Sequence, residues 1–302
     1  MISYERLKDA TSPYSIVGYC TSYRFLTYQP STITKNAASN LVFPPEQPIS
    51  LADLPNRSRI SQFIILPHHQ GQSHGRRLYE TVAKAFLADP ACIEITVEDP
   101  NEEFDDLRDA CDYARLSSNG SFAQIKLNID IDPKLTSRRP KIKVPTGKLM
   151  DKVLLEKLRI KNKLAPRQFK RLVEMYLLSQ IPKYSREAGT ARLIRKAFSS
   201  DKGDKALYYW RLLVKQRIYK QHEDVLKQLE QEEKVEKLEE TVDTQWLDYE
   251  RLLLKIVDAM GPRSSVSGQI PKRAKRKIIE EDEDEDEDED KEDTHALKRS
   301  RS

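Results

Sequence analysis

Two short stretches of the 302-residue chain carry residue types that can do chemistry. One is Glu98-Asp99-Pro100-Asn101, which follows the β-branched run Cys92 to Val97. A carboxylate at a strand end can take a proton from an amine, directly or through water, and burial or a neighbouring negative charge makes it a stronger base. By themselves these residues also describe an ordinary acidic turn. The other stretch is Gln70-Gly71-Gln72-Ser73-His74-Gly75, which leads from a strand-like run into a helix-like one. The first N–H groups of a helix lack intrahelical partners, its dipole is positive there, and glycine lets the backbone approach a ligand closely. The loop is therefore a candidate pyrophosphate cradle, with a plain β–α turn as the other reading. Arg76 and Arg77 could pair with phosphates or form a solvated first turn. His68, His69 and His74 lie close together, but no Cys or acid completes a zinc set with them, so no metal is expected. Cys20, Cys92 and Cys111 show no ligand spacing and read as core residues.

These stretches need elements to hold them. Ser15 to Tyr28, rich in Val, Tyr, Phe, Ile and Thr, reads as a strand. Its aromatic set Tyr19, Tyr23, Phe25 and Tyr28 reads as core or groove wall. Residues 29–57, with five prolines, read as a long loop. Arg59 to Leu66 reads as a second strand, stopped by Pro67. Gly75 to Leu87 follows as a helix, with Leu78, Val82, Ala85 and Phe86 on one face. Cys92 to Val97 is the third strand, and Glu102 to Leu116 returns to helical spacing through Phe104, Leu107 and Cys111. Residues 131–147 form a basic, proline-containing linker. From 148 to 260 the chain is helical. Phe169, Leu172, Val173, Tyr176 and Leu177 repeat at 3.6-residue spacing behind Pro166 at a first-turn position, as do Leu207, Trp210, Val214 and Ile218. Val242, Trp246, Tyr249, Leu253 and Ile256 mark a last helix that Gly261-Pro262 stops. The charged stretch Gln221 to Glu240 reads as a solvated helix with i,i+4 ion pairs.

Composition narrows the classes. With 38% hydrophobic and 33% charged residues and no run of 18 apolar residues, nothing in the sequence spans a bilayer. No secretion leader is visible, and an odd cysteine count then reads as reduced and intracellular. The net charge of +4 hides an asymmetry: residues 271–302 hold nine Lys and Arg against thirteen Asp and Glu. Glu280 to Asp290 is an unbroken acidic run behind a basic cluster, Lys272 to Lys277. Residues 261–302 are too polar to order themselves and read as a disordered tail. The acidic run either attracts a basic partner or only solubilises the chain. The basic cluster, with Lys298-Arg299-Ser300-Arg301, resembles a bipartite nuclear import signal.

Taken together, RISQFIILPHHQGQSHGRRLYETV followed by ITVEDPNEEFDDLRD resembles the acetyl-CoA-binding core of the GNAT acetyltransferases, and within them the catalytic subunits of type B histone acetyltransferases of fungal type. IVGYCTSYRFLTY upstream and KNKLAPRQFKRLVEMYLL downstream extend the resemblance over roughly residues 13–260. It implies an α/β (α+β) fold, with a GNAT core over residues 1–130 and a helical C-terminal domain over 148–260. It implies that the main chain of Phe63, Ile64 and Ile65 bonds the acetyl and pantetheine part of acetyl-CoA. The loop of Gln70, Gly71, Gln72, Ser73, His74, Gly75 and Arg76 would wrap the pyrophosphate, and Asn101 would add a contact. Glu98 matches the catalytic carboxylate, with Asp99 in support, while Tyr23, Arg24 and Phe25 match the strand lining a histone-tail groove. The implied substrate is the tail of free histone H-four, the implied partner a WD-repeat histone-binding subunit, and the implied location both cytoplasm and nucleus. No membrane and no direct nucleic-acid contact are expected.

Two departures stand out. Ser73 replaces a usual glycine, which is free of strain only at negative φ. Some relatives carry an arginine cofactor contact where Ala110 stands, with Arg108 nearby. Family members also carry an N-terminal domain and first GNAT strands ahead of the Tyr23 strand, so the chain is expected to be truncated, with one acidic site residue in the missing part. Two other functions fit the sequence: an inactive, acidic-tailed histone-binding protein, or a GNAT acting on another amine.

Overall fold

The computed structural model describes residues 1–6, 13–27, 54–131, 134–136, 141–143, 146–187 and 200–260. It is a mixed α/β structure. Four strands form one sheet in the order β1 (Ile2–Arg6), β2 (Tyr14–Leu26), β3 (Asn56–Ile65) and β4 (Cys92–Val97). The first three are antiparallel neighbours, and β4 runs parallel to β3. A parallel neighbour needs a crossover, and α1 (His74–Ala88) supplies it. The third strand, Cys92–Val97, falls where the sequence places it, and β3 starts earlier than Arg59. β1 has no counterpart in the sequence reading. It lies beside β2, where Cys20 N donates to Met1 O at 2.9 Å.

The helices cover the sheet because their apolar faces match its row. Leu78, Tyr79, Val82 and Ala83 of α1 are buried against Cys20 and Ile60, with Cys111 from α2 (Glu102–Ser118). Cys20, Cys92 and Cys111 are all buried, as expected. Tyr23 and Phe25 are not core: they are 41% and 54% exposed.

Beyond β4 the described residues are mainly helical, apart from a short hairpin of β5 (Lys134–Thr136) and β6 (Lys141–Lys143) inside the stretch read as linker. α3 (Lys152–Lys161) is capped by Asp151, whose carboxylate accepts from Val153 N and Leu154 N. α4 (Pro166–Gln180) begins at the expected proline. α5 (Lys183–Glu187), α6 (Lys202–Gln221), α7 (Glu223–Gln228) and α8 (Gln231–Met260) complete the fold. The predicted apolar positions of α4, α6 and α8 close a second core around Leu172, Trp210, Val214 and Tyr249. The charged stretch 221–240 is not one solvated helix. It breaks between α7 and α8, buries Leu226, and pairs Glu239 across to Arg211. Among the described residues no helix is long and apolar enough to cross a membrane. The tail 261–302, Tyr28 and the loop up to residue 53 lie outside the described residues.

Candidate functional site

The site is built by a strand pair that separates. β3 pairs with β4 only as far as Ile60 and Val97, with Glu98 N donating to Ile60 O at 2.9 Å as the last rung. β3 then continues to Ile65 beside β2 alone. Gln62 N and Leu66 N both donate toward β2, to Thr21 Oγ1 and Val17 O. By strand alternation the backbone groups of Phe63 and Ile65 then face the edge that β4 has left, and those of Ile64 face β2. Of the three residues expected to offer main-chain bonds there, Phe63 and Ile65 face this edge and Ile64 faces β2. Ile65 O already accepts from Gln70 Nε2 at 2.9 Å, so the loop is tied back to the strand.

The strand's position depends on one glycine. Gly18 of β2 lies so close that a Cβ would stand 2.3 Å from Ile64 O and 2.8 Å from Ile65 Cδ1. Only a residue without a side chain lets β2 and β3 keep this register.

After a short 3-10 turn at Pro67–His69, the loop passes Gly71 at φ 74°, with nothing within 4 Å of its missing side chain. Ser73 is the N-cap of α1, and its φ is 64°, in the left-handed region. Of the two cases the sequence left open, the strained one holds: the helix starts here in a conformation that costs a non-glycine residue energy. Ser73 makes no side-chain cap bond, and the first intrahelical bond is Arg77 N to Ser73 O at 3.1 Å. The amide groups of His74, Gly75 and Arg76 therefore stand at an uncapped, positive helix end. Gly75 faces Leu107 and Ile65: a Cβ there would stand 3.4 Å from Leu107 Cδ2 and 3.7 Å from Ile65 Cγ1, ordinary contact distances. Gln72 donates to His68 O, and the rings of His69 and His74 meet edge to face at 5.9 Å. Among the described residues no His, Cys, Asp and Glu group has metal-binding geometry. Arg76 pairs with Glu80 at 2.7 Å.

Glu98 and Asp99 sit at the other side of the gap. Glu98 is half-buried, while Asp99 is exposed at φ 37°, a strained turn immediately after the strand. Asn101 caps α2, its Oδ1 accepting from Phe104 N at 2.8 Å, which leaves its amide nitrogen to donate to a ligand. Arg108 is no substitute for the arginine missing at Ala110: it is buried and donates to Ile95 O. Register sets Tyr23 opposite Arg59, one residue from the Ile60–Glu98 rung, so Tyr23 is two strands from Glu98, about 10 Å at normal strand spacing. Tyr23 and Phe25 share one face of β2. Arg24 faces the other way and pairs with Asp89 at 3.0 Å.

No thiol competes as a nucleophile. Burial pushes Cys111 up to about 12, with the nearby Glu80 and Asp112 carboxylates adding to the effect. Burial raises Cys20 as well. The sequence reading also missed Lys163. Its ammonium donates to the carbonyls of Phe86, Leu87 and Asp89 at the end of α1, and its own carbonyl accepts from Ile95 N at 2.8 Å. Lys163 thus ties the helical region to α1 and β4 together. A lysine in a basic loop carries no sequence signal for such a role.

An uncapped helix end, an open glycine turn and a free strand edge suit a ligand with a diphosphate and an amide-bearing arm. The comparisons with known proteins point the same way. Residues 134–181 match the family model described as Fungal HAT1, C-terminal. The chain is 41% identical over 283 residues to the histone acetyltransferase type B catalytic subunit of Aspergillus oryzae, covering 90% of this chain and 55% of that one. It is 43% identical over 260 residues to that of Aspergillus fumigatus, with 83% and 45% covered. To that of Schizosaccharomyces pombe it is 31% identical over 253 residues, with 84% and 51% covered. The chain spans about half the length of these curated relatives. Over that half, its sequence is similar to the catalytic subunits of fungal type B histone acetyltransferases.

Proposed function

We propose that the chain is the acetyl-CoA-binding and catalytic part of a histone lysine N-acetyltransferase with a GNAT-type core. The observation that carries this reading is the separation of β3 from β4 between Glu98 and the uncapped start of α1. Acetyl-CoA supplies an acetyl thioester. The Phe63 and Ile65 backbone would bond its amide-bearing arm, and residues 70–76 would hold its diphosphate with main-chain N–H groups. A substrate lysine is an ammonium with a pKa of about 10.4 and cannot attack until it is deprotonated. Glu98 takes that proton, and Asp99 at the mouth attracts the cationic side chain. The free amine then forms the new C–N bond as the thiolate leaves, and backbone N–H groups on the β3 edge would donate to the acetyl oxygen as charge grows on it. No enzyme-bound acyl group is needed, in keeping with the burial of all three cysteines.

The proposed substrate is the tail of free histone H-four, with Tyr23 and Phe25 as one wall of its groove. A WD-repeat histone-binding subunit is the proposed partner, and cytoplasm and nucleus the proposed locations. The test joins this chain to the preceding segment of a relative and compares Glu98→Gln with the parent on a histone-tail peptide. The expected loss in kcat is roughly 10²–10⁴-fold with unchanged acetyl-CoA affinity. Near-full activity at neutral pH would remove Glu98 as the base.

A further inference from the structure

α3 ends on a lysine where a helix end of this shape usually carries glycine. Leu164 N donates to Arg159 O at 3.2 Å and Lys163 N to Ile160 O at 3.0 Å, and the left-handed position of this Schellman turn falls on Lys163, at φ 52°. A side chain in that conformation costs energy, and such strain persists only where surrounding contacts hold it. Here the ammonium supplies the contacts. It donates to Phe86 O, Leu87 O and Asp89 O, at 3.2, 3.0 and 2.6 Å. Three bonds are all that an ammonium can donate. The carbonyls it takes are those that end α1, where the helix dipole favours a cation.

The backbone of the same residue reaches β4. Lys163 O accepts from Ile95 N at 2.8 Å, and Ile95 and Leu164 form a parallel bridge. Arg159 strengthens this edge by donating to Glu94 Oε2 and to Leu164 O, both at 3.0 Å. Ile95 is three residues before Glu98. Lys163 therefore joins the helix that begins at the 70–76 loop to the strand that ends at Glu98. β3 pairs with β4 only as far as Ile60, so the spacing beyond that point needs a brace from the other side of β4.

We infer that Lys163 is a positioning residue for acetyl transfer: it fixes β4, and with it the Glu98 carboxylate, against the helix whose start holds the cofactor. This rests on the reading of Glu98 as the base. Glycine would end α3 without strain, and it is the link to α1 that only a long cationic side chain provides.

Lys163→Gly separates the link from the fold, because glycine suits the left-handed position and removes only the ammonium. The variant is made in the chain joined to a relative's preceding segment, alone and together with Glu98→Gln, and assayed with acetyl-CoA and a histone-tail peptide. The melting temperature should stay near that of the parent, and acetyl-CoA affinity should stay within about twofold. The kcat should fall roughly tenfold, since a misplacement of about 1 Å at a reacting group costs up to about 10²-fold. In the Glu98→Gln background the same change should cost less than about twofold, because the carboxylate it positions is gone. Full kcat in Lys163→Gly beside a low kcat in Glu98→Gln overturns the inference and leaves the base standing. A loss undiminished in the Glu98→Gln background also overturns it, as does a loss matched by equal falls in cofactor affinity and melting temperature, the mark of a structural role alone. Full kcat in Glu98→Gln removes the base, and this inference with it.

Discussion

Ser73→Asp separates helix stability from anion binding. Ser73 is exposed, makes no cap bond and lies at φ 64°. Asp is among the few non-glycine residues that tolerate this region, so the backbone need not move. A carboxylate at a helix N-terminus stabilises the helix by about 0.3–1 kcal/mol, so the melting temperature should hold or rise slightly. Ligand binding should respond in the opposite direction. At about 5 Å, with an effective dielectric of about 40 for a surface site, each pair of like charges costs about 1.7 kcal/mol. A diphosphate with one near and one farther charge then loses about 2–3 kcal/mol, or roughly 30- to 150-fold in affinity. Calorimetric titration with acetyl-CoA at low and high salt measures this, and the loss should shrink at high salt as screening grows. Ser73→Gly is the control. It relieves the left-handed strain, should stabilise the fold by up to about 1 kcal/mol, and should keep acetyl-CoA affinity. If Ser73→Asp folds and binds within about twofold of wild type, no diphosphate sits at this helix end.

Two further outcomes follow from the packing. Gly18→Ala should cost about 1–3 kcal/mol in urea unfolding, because its Cβ would overlap Ile64 O, and should weaken acetyl-CoA binding although residue 18 lies on β2. Burial raises the Glu239 carboxyl, but hydrogen bonds from Lys215 and Arg211 outweigh it and hold the group below the ordinary glutamate range. The stability this confers is present above the ordinary glutamate pKa and is lost as pH falls through the lowered folded value. Glu239→Gln should therefore cost about 1 kcal/mol at neutral pH, discounted for its exposure, and should flatten the acid limb of the stability curve in that window.

The parts of the fold legible in the sequence are those whose signal is local. Cys92–Val97 is β-branched and bounded by Pro90 and Pro100, and α4, α6 and α8 repeat their apolar residues with the period of a helix. β1 and the β5–β6 hairpin were not legible. ISYER, KLT and KIK are too short and polar to show a period, and they are strands only because another segment pairs with them. At the site, the loop's residue types were informative, but the sign of φ at Ser73 was not. Glycine at that position would have announced a positive φ; serine conceals it. Ile64 differs from Phe63 and Ile65 only through the register of β3 on β2, which no local pattern encodes. Arg108 reads as a plausible cofactor contact because arginine is usually exposed. It is buried because Ile95 O and Asp112 are there to receive it.

α2 explains why the two cores act as one support for the site. Phe104, Leu107 and Cys111 face the sheet-side core, and Tyr113 and Leu116 belong to the helical one. Between these stripes runs a row of acids. Asp106 is bound by Arg251, Asp109 by Arg171 at 2.6 Å and Gln168 at 3.0 Å, and Asp112 by Tyr79 and Arg115. Asp109 and Asp112 are almost wholly buried, and a buried charge persists only where partners on both sides are in place. Tyr79 comes from α1, Arg171 and Gln168 from α4, and Arg251 from α8. The row therefore fixes α2 in rotation and height against all three helices. Leu107 rides on α2 and touches Gly75, so the position of the cradle's floor is set by ion pairs on the far side of the same helix. A helical region that only covered the sheet could use apolar contacts alone. Charged partners at fixed positions select one register, which is what a site built from separate elements requires.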